Sequence, residues 1–568
     1  MDFRAEVIKL LAKETKLNKA ELENALSIPP DPKLGDYAFP CFKLGKNAKG
    51  EADKLKEKLV SGKTKLPKFL QKVDVAGPYL NFYVSSHIIA ENTLTQIYKD
   101  KKDYGRQKVG KGKTIAIDFS SPNIAKPFGI GHLRSTVIGS SLYKVFNALG
   151  YKPIGVNHLG DWGTQFGKLI VAYQKWGQEK LLEKDPIKYL LKLYVKFHDE
   201  AEKDESLVEE AREVFKQLEE GDKKYLAIWE TFKDLSLQEF HRVYKILDVE
   251  FDSYHGEAFY NDKMDQALLQ LQKKVPTTIS DGALVVELEA YKMPPVLLRK
   301  TNNSTTYHTR DIAAAFYRMK EYKAHKLLYV VGSDQKLHFQ QLFKVLHLAG
   351  YDETKFHHAN FGMIRFPDGK MSTRRGKVIF LEDVLDKAIK LAEKIIEKKN
   401  PKLKNKKNVA KMVGVGAIIF ADLSNERTRD INFDWNKMLS FEGETGPYLQ
   451  YTHARACSIL RKAKKDFKLN VSPKVSFEEF SLAEEQVVVK QLYNYPEVLV
   501  KVSETYKPHH LANYLITLAQ QFNEFYHKCP VISEQDRQMK ARLLLVDSVR
   551  QVLENGLNIL GIKAPDEM

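Results

Sequence analysis

The segment from Thr114 to Asn157 constrains the chain most. Thr114-Ile115-Ala116-Ile117-Asp118-Phe119 is a short β-branched run bounded by Ser120-Ser121-Pro122, which predicts a buried strand. Leu133, Val137, Leu142, Val145, Phe146 and Leu149 then recur at helical spacing until Gly150, a C′ stop. Lys152-Pro153-Ile154-Gly155-Val156-Asn157 predicts the next strand. Such a strand–loop–helix–strand unit belongs in an open parallel α/β sheet, with its ligands beyond the carboxyl ends of the strands. The helix begins at Gly129-Ile130-Gly131-His132. A helix N-terminus offers unpaired N–H groups and partial positive charge, small glycines permit close approach, and a histidine can donate a hydrogen bond: these suit phosphate.

Two nucleotide-binding patterns are absent. Gly129-x-Gly131 is followed by Leu133 and Arg134 without the third glycine of the dinucleotide fingerprint, and no P-loop lysine pattern occurs. A Gly-x-Gly-His turn alone also fits an ordinary α/β turn with a surface histidine. The whole run Ser120-Ser121-Pro122-Asn123-Ile124-Ala125-Lys126-Pro127-Phe128-Gly129-Ile130-Gly131-His132-Leu133-Arg134 resembles the HIGH signature of class I aminoacyl-tRNA synthetases, with the flanks of arginyl-tRNA synthetases. The first histidine of that signature is Gly129 here, so only His132 remains of the pair.

The same resemblance recurs downstream. Gly160-Asp161-Trp162-Gly163-Thr164-Gln165-Phe166-Gly167 matches a family motif, and Lys370-Met371-Ser372-Thr373-Arg374 resembles the second class I signature, KMSKS. Tyr307-His308-Thr309-Arg310-Asp311 marks a helix start, and Lys326 to Val331 a strand ending in Gly332-Ser333-Asp334-Gln335. A guanidinium is planar and permanently charged, and carboxylates grip it in pairs. Asp118 and Asp311 are therefore expected to face one pocket, although a helix cap is an ordinary alternative for Asp311. The resemblance implies arginine contacts from Asp118, Ser121, Pro122, Asn123, His132, Tyr307, Asp311 and Gln335. It implies ATP contacts from Lys126, Gly129, Gly131, His132, Gly332, Met363, Lys370 and Ser372, with His132 and Lys370 catalytic. Asp118 stands where the family often has the longer Glu.

The flanking regions complete the expected organisation. Residues 1–105 resemble the N-terminal domain that touches the tRNA elbow, through Gly35-Asp36-Tyr37 and Gly77-Pro78-Tyr79-Leu80-Asn81-Phe82; Val75 to Val84 reads as a strand. An aromatic face and an amide suit a splayed base, and the resemblance gives Tyr79 and Asn81 that role; a hairpin aromatic beside a turn-forming Asn fits as well. Residues 106–390 form the catalytic domain, interrupted at 175–290 by a charged helical insertion with no catalytic constellation. Residues 391–445 are a helical connector, and 446–568 an all-helical domain resembling the anticodon-binding bundle. Tyr448 and Tyr451 are its candidate base-stacking residues, with core packing as the alternative.

Composition agrees with a large globular, soluble protein. At 568 residues the chain needs roughly two to four domains. A net charge of +17 fits a polyanionic partner or a lysine-rich proteome alike. No apolar run approaches a membrane span, and the N-terminus is amphipathic and acidic, unlike a signal peptide. Cys41, Cys457 and Cys529 lack metal-ligand spacing and suit a reducing compartment, which places the protein in the cytoplasm. The resemblance implies a monomer that binds tRNA(Arg), L-arginine and ATP with substrate-bound Mg2+ and no protein-held metal. It also implies arginine activation that depends on tRNA. Gly129 leaves a catalytically silent tRNA-binding relative as the alternative.

Overall fold

A computed structural model of the chain describes residues 2–61, 66–302, 304–365, 379–533 and 536–568. These form two compact units: one of Met1–Tyr104, Ala456–Tyr495 and Leu518–Val552, the other of Gly105–Arg455, Pro496–Thr517 and Leu553–Met568.

In the first unit, helices α1 (Phe3–Glu14) and α2 (Lys19–Ala25) lead to β1 (Tyr37–Pro40), followed by α3 (Ala48–Ser61), β2 (Leu70–Ala76), β3 (Tyr79–Val84) and α4 (Ser86–Asp100). Asn18 closes a capping box with Glu21 at the start of α2. The strands make an antiparallel sheet in the order β1-β3-β2. Val75 to Val84 is therefore not one strand. Gly77, at a φ of 59°, lets the chain reverse ahead of Pro78, so β2 and β3 form a hairpin. Later helical segments pack on this sheet: Tyr104 donates to the Leu492 carbonyl at 3.0 Å, and Lys490 pairs with Asp36 at 2.8 Å.

The second unit is built on β4 (Thr114–Asp118). The chain continues through α5 (Gly131–Ala148), β5 (Lys152–Val156), α6 (Thr164–Trp176), α7 (Glu179–Lys184), α8 (Pro186–Ala201), α9 (Ser206–Glu219) and α10 (Lys223–Leu247). Next come α11 (Met264–Gln272), β6 (Thr278–Ser280), β7 (Ala283–Val286), β8 (Val296–Arg299), α12 (Tyr307–Glu321), β9 (Lys326–Tyr329), α13 (Lys336–Leu348) and β10 (Phe356–His358). Strands β10-β9-β4-β5 form a parallel sheet in that order. Strand β4 lies inside it, and its neighbours β5 and β9 follow on opposite sides, so order reverses at the β4–β9 junction. Ligands of such sheets sit at that crevice.

Within residues 175–290, α7 to α11 are helical, and β6 and β7 pair as an antiparallel hairpin extended by β8. The unit continues with β11 (Ile364–Arg365), α14 (Leu381–Lys399), α15 (Lys406–Leu423), β12 (Ile431–Asn432) and α16 (Trp435–Met438). In the C-terminal region the described residues form α17 (Gly446–Phe467), α18 (Ala483–Tyr493), α19 (Tyr495–Thr505), α20 (His509–Lys528) and α21 (Asp536–Ile559).

Helix α5 must lie close on the sheet for its N-terminus to reach the crevice. Gly139 permits this: a Cβ there would stand 2.3 Å from Phe119 Cβ and 2.2 Å from its ring. Phe119 is wholly buried, so it cannot swing aside. Ala is the better helix former by ~1 kcal/mol, but overpacking a core costs about 1–3 kcal/mol. We expect Gly139→Ala to lower stability by about 1–2 kcal/mol, read as a lower urea midpoint; an unchanged or raised midpoint would contradict this packing.

Candidate active site

The loop after β4 is backbone-strained. Ser120, Ser121 and Ala125 have φ values of 71°, 47° and 57°, a left-handed region unfavourable for residues other than glycine. Hydroxyls hold it there. The Ser120 N–H donates to Ser135 Oγ at 2.8 Å, and Ser135 Oγ donates to the Val330 carbonyl at 2.6 Å. Thr136 Oγ1 donates to Ser120 Oγ at 2.8 Å, which also bonds the Tyr244 hydroxyl at 2.8 Å. The Ala125 N–H donates to Ser236 Oγ at 2.8 Å. Ser236 and Tyr244 belong to α10, so the insertion contributes a buried supporting face as well as solvated ones.

His132 begins α5, and its Nδ1 lies 3.3 Å from the Gly129 carbonyl, which also accepts the His132 N–H at 3.0 Å. The glycine at the place of the missing histidine thus orients the surviving one through its backbone. The imidazole is enclosed, though part of it reaches solvent. Burial pushes its pKa down to about 4 despite the Gly129 contact, with the Lys126 charge acting in the same direction. With Nδ1–H turned to the Gly129 carbonyl, the neutral ring presents Nε2 as an acceptor. Lys126 lies 3.4 Å from Gln165 Oε1 and 5.8 Å from the Tyr194 ring centre. Gly131 leaves open space where a Cβ would stand, as a close-approaching ligand requires. Gly129 is buried and bridges to Phe380, next to which Ile130 N–H donates to the Ile379 carbonyl at 3.0 Å.

The carboxylates are partitioned. Asp118 does not present a free carboxylate: its Oδ2 pairs with Arg318 at 2.7 Å, and its Oδ1 accepts from Ser121 Oγ at 2.9 Å. This corrects the expectation of two acids facing one pocket, because α12 supplies its own guanidinium to Asp118. Asp311 is no helix cap either, since α12 begins at Tyr307 and Thr306 occupies the cap. His338 Nε2 donates to Asp311 Oδ2 at 2.7 Å, and His158 Nε2 approaches Oδ1 to 3.9 Å. Burial works to raise the Asp311 carboxyl, but the His338 hydrogen bond and the charges of His338, His158 and Arg318 bring it below its ordinary value. Tyr307, exposed, lies 5.2 Å from the His338 ring. His308 is driven down to about 4, first by burial and then by the His338 charge.

Other candidates take scaffold positions. Pro122 is buried and its carbonyl accepts the Gly160 N–H at 3.1 Å, while a Cβ on Gly160 would strike Asn123 Oδ1 at 2.0 Å. The two signature loops after β4 and β5 are therefore interlocked around Asn123. Gly332 bridges to Phe361, Gln335 is exposed beside Asp334, and Met363 is exposed. Lys370 and Ser372 lie outside the described residues. Asn81 is 2 % exposed in the central strand β3, so its amide does not face solvent as a base-reading role requires. Tyr79 is exposed against Phe42; Tyr451 is exposed under Arg455, and Tyr448 is half-buried. His158, His338, Arg318, Ser236 and Tyr244 escaped sequence reading. His158 and His338 carried a signal, their places in the segments after β5 and β9.

This fold and crevice define a class I aminoacyl-tRNA synthetase. The family model "tRNA synthetases class I (R), catalytic domain" matches residues 93–435, with "Arginyl tRNA synthetase N terminal domain" at 2–84 and "DALR anticodon binding domain" at 449–568. The arginine–tRNA ligases of Clostridium beijerinckii and Clostridium botulinum are each 48% identical to the chain, covering 100% of both sequences. The solved arginyl-tRNA synthetase of Thermus thermophilus is 25% identical, with a TM-score of 0.81 over 100% of both chains. The chain belongs to the arginine–tRNA ligase family.

His132 and His308 impose a pH dependence. Both titrate near 6.5 when unfolded and near 4 when folded. Between these values the unfolded chain binds more protons, so their contribution is intact above pH about 6.5 and lost as pH falls towards 4. The urea midpoint should fall from pH 7 to pH 5; a constant midpoint would mean that these rings are not buried neutral.

Proposed function

We propose that the protein ligates L-arginine to tRNA(Arg) in two steps. The arginine carboxylate attacks the α-phosphorus of ATP, the bond to the β,γ-pyrophosphate breaks, and arginyl-adenylate forms. A ribose hydroxyl of the terminal tRNA nucleotide then attacks the arginyl carbonyl, loses its proton and displaces AMP. Full-length kinship with arginine–tRNA ligases carries this reading.

Positioning and charge stabilisation suffice for this chemistry, without a protein nucleophile. His132, whose Nδ1–H faces the Gly129 carbonyl, donates to phosphate from Nε2 by taking up a second proton as the anion binds, and Gly131 leaves room for the triphosphate at the start of α5. Asp311, kept ionised by His338, takes the guanidinium, with Tyr307 and Gln335 beside it. Asn123 and His132 hold the amino acid backbone. Asp118 acts one step back, fixing Ser121 and the loop, and Lys370 neutralises charge on the departing pyrophosphate. Mg2+ enters with ATP, bound mainly by phosphate and water.

Residues 1–105 contact the tRNA elbow through Tyr79, and residues 446–568 bind the anticodon region, with Tyr451 and Tyr448 as stacking candidates. The enzyme acts as a monomer in the cytoplasm; no described helix is long and apolar enough to cross a membrane.

Arginine-dependent ATP–pyrophosphate exchange, with and without tRNA, tests the reading. Exchange that requires tRNA supports it fully, and exchange without tRNA removes only the coupling. Absence of exchange with every amino acid, despite tRNA binding, would favour the silent relative. Asp311→Asn should raise the arginine KM about 100-fold, because an amide leaves the guanidinium unpaired, and should leave the ATP KM nearly unchanged. Equal loss for both substrates would show that Asp311 serves only the fold.

A further inference from the structure

Arg134 lies two residues beyond His132 on α5, and its side chain is 1% exposed. Its Nε donates to Asp422 Oδ2 at 3.0 Å, and its Nη1 donates to the Gly362 and Arg429 carbonyls, each at 2.8 Å. One guanidinium therefore joins three segments distant in sequence. A buried ion pair is a weak source of net stability, since desolvation offsets most of the attraction. The fork geometry is what a guanidinium adds over any other cation.

The two backbone acceptors lie where the segments come closest. A Cβ on Gly362 would stand 2.6 Å from the Arg429 carbonyl carbon and oxygen. The Gly362 N–H donates to the Arg427 carbonyl at 2.9 Å, and the next residue is held on both sides: the Met363 N–H donates to Asp430 Oδ1 at 2.8 Å, and the Met363 carbonyl accepts from Ile431 at 2.9 Å. On the other side of Gly362, the Phe361 carbonyl accepts from the Ser333 N–H and Oγ, each at 2.9 Å, beside Gly332. A shift of Gly362 is thus a shift of Met363 and Gly332 relative to His132. Asp311 and Tyr307 stand on α12, outside this lattice; of the arginine-side residues Gln335 touches it, through its N–H to the Gly332 carbonyl at 3.1 Å, and the carboxylate that pairs with the guanidinium stays in place.

We propose that Arg134 is a positioning residue for the nucleotide half of the site, setting Gly362–Met363 and Gly332 against the helix that carries His132. This rests on the reading of His132, Gly332 and Met363 as nucleotide-binding residues. It predicts a split effect: loss of the fork weakens ATP and spares arginine.

Titration calorimetry of the full chain with Mg2+–ATP and, separately, with L-arginine tests it on two variants. Arg134→Lys keeps a cation beside Asp422 but has no fork. The double variant Arg134→Met, Asp422→Leu removes both charges, a replacement that buried pairs often tolerate. In both, the ATP Kd should rise about tenfold or more, as misplacement within a site does, with the arginine Kd within about twofold of the parent and the melting temperature retained. Unchanged ATP affinity in either folded variant, or equal loss for both ligands, overturns the proposal. A parent protein that binds no Mg2+–ATP overturns the nucleotide-site reading itself.

Discussion

The buried pair between Asp118 and Arg318 is the constraint on which the crevice depends. Asp118 ends the central strand of the parallel sheet, Arg318 comes from α12, and the two are 6% and 2% exposed. Removing one partner of such a pair costs about 3–5 kcal/mol, because the other charge is stranded in the interior. The geometry is therefore conserved by the fold's own energetics. The pair locks α12 against β4, which places Asp311 two turns earlier on the same helix near the carboxyl ends of the strands. Through Ser121 it also reaches the strained loop.

Around this pair the site is built mainly from hydroxyls and backbone. Left-handed residues such as Ser120 and Ala125 cost free energy and persist only where neighbours over-determine them. Here Ser135, Thr136, Ser236 and Tyr244 supply the hydrogen bonds. Neutral groups suit this task. A charged support close to His132 would alter the field where a triphosphate binds, whereas hydroxyls fix the backbone without adding net charge. That Ser236 and Tyr244 come from α10 explains why a segment without catalytic residues matters for the site.

The local frame was legible because its signals are short-range: a β-branched run, a 3.6-residue apolar pattern and a glycine stop define β4, α5 and β5. Val75 to Val84 reads as one strand because Gly77-Pro78, where the β2–β3 hairpin turns, sits inside a continuous apolar pattern. Asn81 was misread for a different reason. Motif position says nothing of burial, and β3 is a central strand whose Leu80, Asn81 and Phe82 are all buried. The decisive side-chain pairs were out of reach altogether. Arg134 meets Asp422 288 positions away, Ser120 meets Tyr244 124 away, and Asp311 meets His338 across two helices. Periodicity constrains which face of an element is buried, but it does not say which residue of another element that face will meet.

The distribution of charge follows from what such a crevice must hold at once. A guanidinium requires a carboxylate, and a triphosphate a few ångströms away is repelled by one. The structure meets both demands by compensation. Arg318 neutralises Asp118 internally, so the acid nearest the helix start adds little net negative charge there. Asp311 is answered in turn by His338 and His158, whose Nε2 atoms lie 2.7 and 3.9 Å from its carboxylate oxygens. His132 and His308, whose pKa values burial lowers to about 4, stay uncharged near neutral pH and leave the balance of the empty crevice unshifted. The excess positive charge of the chain, +17, is then left to the surface, where it acts at longer range on a polyanion and is screened by salt. Selectivity for a cationic amino acid and attraction for a nucleic acid can coexist because buried pairing handles the first and exposed charge the second.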